Sequence, residues 1–153
     1  MTTLHFRKTE NGDVTALFDV RSKTRENPIS TARLAEMGVT HASTVEGLET
    51  GQLCSWVCLS GPNVVGFCTG HLPTGEVLVL AVLPEFEGQG IGKQLLGNVV
   101  DAIQQGGTHP IWLSADSNAT VKAHGFYRRL GWVPSGQTLG NGDEVLELDS
   151  PHK

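Results

Sequence analysis

The chain has no apolar run of 18 residues, which excludes a helix long enough to span a bilayer. Residues 1–10 also lack the apolar centre of a signal peptide. Basic charge is scarce: 11 Lys and Arg face 16 Asp and Glu, for a net charge of -5. A nucleic-acid binder needs a clustered basic footprint, and Lys122, Arg128 and Arg129 are too sparse to make one. Cysteine is scarce too. Cys54, Cys58 and Cys68 are odd in number and lie in strand-like apolar runs, so they read as buried, reduced thiols. A metal centre built on them would need a fourth ligand, and only His71 is near in sequence, so no metal is expected. There is no internal repeat and no low-complexity tract. Residues 1–153 read as one cytoplasmic domain, long enough to bury roughly 68–70% of the surface its unfolded chain would expose.

Glycine, by contrast, is plentiful. Nineteen exceed the average share of about 7%, and most stand between periodic runs. The chain is organised around residues 76–104. Residues 76–83 are short and rich in Val and Leu, and so read as a buried strand that Pro84 ends. Gly88, Gly90 and Gly92 alternate next. Ile91, Leu95, Leu96, Val99, Val100 and Ile103 then repeat at helical spacing. A strand, a glycine turn and a helix N-terminus in this order make an anion site, because unpaired amides and the positive end of the helix dipole converge there.

The flanking segments supply the remaining architecture. Residues 4–7 read as a first strand, and Asn11-Gly12-Asp13 caps a helix carrying Val14, Leu17 and Phe18. The polar residues 23–31 connect it to a short helix over 33–37 closed by Gly38. Ser43 and Glu46 have capping-box spacing for another helix over 44–49. Strands over 54–59, 64–69 and 76–83, joined by tight turns, make an antiparallel meander. A strand over 110–113 follows the long helix and should run parallel to 76–83. A helix over 120–130, with Arg128 and Arg129 complementing its C-terminal dipole, precedes a closing hairpin of 132–133 and 144–148. The fold class is α/β with a mixed sheet.

Two familiar glycine motifs fail on spacing. A dinucleotide fingerprint G-x-G-x-x-G meets Lys93 or Leu95 where its third glycine belongs. A P-loop around Gly92-Lys93 meets Glu87 for its first glycine and Gln94 for its Ser or Thr. Val82-Leu83-Pro84 followed by Glu87-Gly88-Gln89-Gly90-Ile91-Gly92 resembles instead the acetyl-CoA motif of the GNAT superfamily of N-acetyltransferases, Gln/Arg-x-x-Gly-x-Gly/Ala. Ala123, Phe126, Tyr127, Gly131 and Trp132 resemble that family's second element. The resemblance covers residues 4–148. It departs at Glu87, which stands where the family has Gln or Arg, and at Thr120, where the family has Asn; Asn118 takes that place if the loop is two residues longer.

The resemblance implies a GNAT-type fold, an antiparallel meander followed by a β-α-β acetyl-CoA unit. It implies an enzyme that moves an acetyl group from acetyl-CoA to a primary amine by direct attack in a ternary complex. Main-chain groups of Leu80, Ala81 and Val82 would bond the pantetheine arm. Amides of Gly88, Gln89, Gly90, Ile91, Gly92 and Lys93 would hold the pyrophosphate, with Glu87 contributing its amide or nothing and Asn118 assisting. Lys93 reads equally as a phosphate contact or a solvated helix lysine. Tyr127, the single tyrosine, would be the general acid for the departing thiolate. Glu76 falls where several relatives carry a general base, although a carboxylate after a turn is ordinary; His71 and His124 are lesser candidates. Arg25, Glu26 and Asn27 fall in the region that shapes the acceptor pocket in relatives, many of which are homodimers. A non-catalytic acyl-CoA-binding or sensing module of the same fold is the alternative, kept open by Glu87.

Overall fold

The computed structural model describes residues 3–25, 28–107, 110–115 and 122–148. Its centre is a seven-stranded sheet: β1 (Leu4–Lys8), β2 (Leu53–Ser60), β3 (Asn63–His71), β4 (Glu76–Val82), β5 (Ile111–Ala115), β6 (Trp132–Thr138) and β7 (Glu144–Leu148), in the order β1-β2-β3-β4-β5-β7-β6. The pairs β1–β2, β2–β3 and β3–β4 form the antiparallel meander, and β5 lies parallel to β4. The closing hairpin inserts β7 between β5 and β6. β6 runs longer than the expected two residues because β7 offers it partners as far as Thr138, past an irregularity after Pro134.

The described residues form five α-helices: α1 (Val14–Arg21), α2 (Thr31–Glu36), α3 (His41–Thr50), α4 (Ile91–Gln105) and α5 (Lys122–Arg129). α4 and α5 pack on one face and α1 on the other. α3 begins three residues earlier than the Ser43–Glu46 spacing implies. Thr40 is extended and its hydroxyl accepts from the Ser43 amide at 3.0 Å, while the Ser43 hydroxyl accepts from the Thr40 amide at 2.9 Å. The box is therefore Thr40 with Ser43, and Gly51 closes the helix in the left-handed region. The three cysteines are free; Cys58 and Cys68 are buried, and burial raises all three thiols above their usual range.

All six apolar residues read on the helical repeat of α4 are buried against the sheet. The helix lies close because β3 presents Gly66 and Gly70 beneath it. A Cβ at Gly70 would come within 2.7 Å of Val99 Cγ1 and 3.0 Å of Ile103 Cδ1. Valine is stiff at χ1, so the helix backbone would have to lift. Gly70→Val should cost about 1–3 kcal/mol and lower the thermal midpoint by several degrees. An unchanged midpoint would mean that α4 is not held at this distance.

Candidate active site

Strands β4 and β5 meet only at their beginnings. Their register joins Glu76 to Trp112, and the Trp112 amide donates to the Gly75 carbonyl at 3.0 Å. Beyond this point the two strands separate, which leaves one edge of β4 open. Strand alternation decides which groups face the opening. The Leu83 amide donates to the Val65 carbonyl of β3 at 2.9 Å. Main-chain groups of Val82 and Leu80 therefore point the other way, into the gap. Ala81 differs from its expected role. Its main chain is on the β3 side, and its side chain, 2% exposed, sits in the core under α1.

An extra residue in β4, Leu78, shifts the register between Thr69 and Gly70. The shift exchanges faces: Val77 joins the core under α4, and so do Leu80 and Val82, while Val79 and Ala81 face α1. Glu76 consequently lies on the α1 face, in register with His71. Burial raises the Glu76 carboxyl above the usual carboxylate range, and His71 opposes that shift.

The strand leads through a 3-10 turn, Pro84–Phe86, into the glycines. Gly88 and Gly90 have φ of 81° and 82°, a region that glycine adopts without strain. The first helical bond of α4 runs from the Gln94 amide to the Gly90 carbonyl at 3.1 Å. Amides of Gly88, Gln89, Gly90, Ile91, Gly92 and Lys93 donate to no acceptor among the described residues. Six consecutive free donors at the N-terminus of a 15-residue helix form a seat for an anion. Glu87 lies outside this run. Its amide already donates to the Pro84 carbonyl at 3.3 Å, and its carboxylate is bonded to Nε of Arg25 at 3.1 Å.

The open strand edge and five of the six free-amide residues, all but Gln89, border one cavity of about 340 Å³. Leu80 and Val82 form one wall, and Phe126, Tyr127 and Arg129 of α5 form the other. Phe86, Glu87 and Lys93 stand at the glycine end, whereas the Gln89 side chain is exposed and does not line the cavity. The Tyr127 ring packs edge-on against Phe126 at 5.2 Å and against Trp132 at 6.1 Å. Burial raises its hydroxyl above the usual phenol range, Cys68 raises it further, and Arg21 of α1 opposes both. The group therefore holds its proton at neutral pH. Arg129 is a wall residue that helix-dipole reasoning missed. Its neighbour Arg128 is instead committed to β7, with Nη2 at 2.9 and 2.8 Å from the two Glu144 oxygens.

Glu76 does not line this cavity. It stands at the opposite end of β4 from Val82, while His71 bonds the Thr74 hydroxyl at 2.8 Å and His124 lies 3.9 Å from Glu144. Asn118, Thr120, Glu26 and Asn27 lie outside the described residues. A larger hollow, about 410 Å³, lies among α1, α2 and the start of α3. Its one acidic wall residue, Asp19, is paired with Lys23 at 3.1 Å, and the helix ends beside it, at Thr31 and His41, offer shorter runs of free amides than residues 88–93. The smaller cavity is therefore the candidate site. Among the described residues no group of three His, Cys, Asp or Glu is placed to hold a metal ion, and no helix is long and apolar enough to cross a membrane.

Strand edge, glycine turn, free helix end and partly buried tyrosine thus border one cavity, with an anion seat at its glycine end. Comparison with known proteins gives the class. Residues 15–132 match the model of the acetyltransferase (GNAT) family, and the chain belongs to that family. A mycothiol acetyltransferase from Arthrobacter sp. (strain FB24) is 41% identical over 64 residues, which is 42% of this chain. The matched stretch spans only 20% of that relative's length. The PaiA N-acetyltransferase of Thermoplasma acidophilum, solved in complex with coenzyme A, superposes with a TM-score of 0.76 at 17% identity, covering 95% of this chain and 98% of that one. The Salmonella typhimurium protein yncA, solved with its cofactor acetyl-CoA, gives 0.69 at 16% identity, covering 99% and 97%.

Proposed function

We propose that this chain is an acetyl-CoA-dependent N-acetyltransferase acting on a primary amine. The observation that carries the reading is the convergence on one cavity of the unpaired amides of Gly88 and residues 90–93, an unpaired strand edge and a partly buried tyrosine whose hydroxyl is raised above its usual range. Family membership and the coenzymes bound by the two structural neighbours support it. The pyrophosphate lies on amides of residues 88–93, and the pantetheine arm bonds Leu80 and Val82 main chain as an added strand would. The amine nitrogen attacks the thioester carbonyl carbon, and backbone amides near Val82 receive the negative charge that forms on oxygen. Collapse breaks the carbon–sulfur bond, and the sulfur takes the Tyr127 proton. The amine proton leaves toward Glu76 through water, since Glu76 lies outside the cavity.

An amine of pKa near ~10.4 is almost wholly protonated at pH 7, so removing its proton costs roughly 4–5 kcal/mol and a base is useful. Glu76 occupies the α1 face of the sheet and has a carboxyl raised by burial, which makes it a better base than a solvated one. The test is free-thiol release from acetyl-CoA against a panel of amino acids, polyamines, aminoglycosides and peptide N-termini. At least one acceptor should give one thiol per acetylated amine. Calorimetric binding with no turnover on any amine would favour an acyl-CoA sensor, and absence of binding would overturn both.

A further inference from the structure

The phosphate seat has a feature that works against an anion: the Glu87 carboxylate, 24% exposed, lies in the wall of the cavity. A carboxylate there repels a pyrophosphate unless something compensates it. The structure compensates it from far away in sequence. Arg25, beyond the end of α1 and 62 residues earlier, places Nε 3.1 Å from Glu87 Oε1. Only Nε is used; among the described residues the two Nη groups of Arg25 make no hydrogen bond, and its side chain remains 57% exposed. Arg25 does not itself line the cavity but stands beside its wall residue Glu87, and because a guanidinium is a rigid planar fork, a carboxylate that grips Nε restricts where the other donors can turn. Lys93 and Arg129 also border the cavity, and among the described residues neither forms an ion pair that would fix its head group in the same way.

We propose that Arg25 is a cofactor-phosphate ligand supplied by the segment after α1, and that Glu87 is the residue that positions it. This rests on the acetyl-CoA reading of the cavity. The pair replaces one side chain of the glycine turn by two residues. It also gives Glu87 a use in a place where its charge alone would be a liability.

Masking is the competing role: Arg25 could serve only to neutralise Glu87. The two roles differ in sign. Calorimetry should compare coenzyme A with S-acetylpantetheine, which lacks the pyrophosphate and the nucleotide, on the wild type, Arg25→Ala, Glu87→Ala and the double variant; alanine is used at 87 because glutamine would itself offer a donor to phosphate. If Arg25 is a ligand, Arg25→Ala weakens coenzyme A binding roughly tenfold, as expected for one charge-assisted hydrogen bond. Glu87→Ala then weakens it by a smaller factor, and the double variant binds more weakly than Glu87→Ala alone. S-acetylpantetheine binding stays constant throughout, which also shows that every variant is folded. Tighter coenzyme A binding by Glu87→Ala, or wild-type binding by the double variant, would overturn the proposal and leave masking. A wild type that does not bind coenzyme A would overturn the cofactor assignment itself.

Discussion

Tyr127→Phe should lower turnover by about 10²–10⁴-fold, the usual contribution of a positioned general acid, while leaving acetyl-CoA affinity within a small factor. The separation follows from where the hydroxyl acts. In the proposed complex the cofactor is held by main-chain groups on β4 and α4, none of which the substitution touches. The proton is needed only as the carbon–sulfur bond breaks. Burial is the first reason that the phenol keeps its proton, and the same burial would penalise the phenolate left behind. The Arg21 charge offsets that penalty, which makes proton release feasible when the thiolate appears beside it. Phenylalanine preserves the edge-on contacts with Phe126 and Trp132, so stability should hardly change. Unchanged turnover with a proven acceptor would show that water protonates the sulfur.

The second large effect is expected from Glu76→Gln, read across pH. If Glu76 takes the amine proton, the variant should lose on the order of 10²-fold in turnover near neutrality. The loss should shrink as pH approaches the amine pKa near ~10.4, because the acceptor then arrives already deprotonated. In the wild type the acidic limb should lie above the ordinary carboxylate range, since burial raises the Glu76 carboxyl. Turnover is lost as pH falls through that raised value, and the variant should lack this limb. A loss of equal size at every pH would assign Glu76 a structural role beside His71 and Trp112 instead.

Much of this was readable from local pattern. The α4 residues and the glycine turn are adjacent in sequence, and helical spacing alone sorted Ile91, Leu95 and Val99 onto the buried face. Tyr127 could be singled out because the motif around it is contiguous. What escaped was set by distant partners. Alternation along β4 cannot anticipate the extra residue at Leu78, which turns Glu76 to the α1 face, nor show that Ala81 bonds toward β3 while Leu80 and Val82 face the gap. Dipole reasoning treats Arg128 and Arg129 alike, yet Glu144 on β7 takes the first and the cavity receives the second. The Arg25–Glu87 pair joins residues 62 apart, and no periodicity signals it. The Thr40–Ser43 box was local, but Ser43 also matched Glu46 at the same spacing. Only the conformation of Thr40 decided between them.

The central claim is that a phosphate-bearing thioester sits on amides of Gly88, Gln89, Gly90, Ile91, Gly92 and Lys93, with its arm along Leu80 and Val82. Backbone amide NMR during a coenzyme A titration tests it most directly. The largest shifts should fall on those six amides and on Val82, with residues of β1 and β6 unmoved. S-acetylpantetheine should reproduce the shift at Val82 and leave the six near their free positions. Saturable binding that leaves residues 88–93 unperturbed would contradict the assignment of the site.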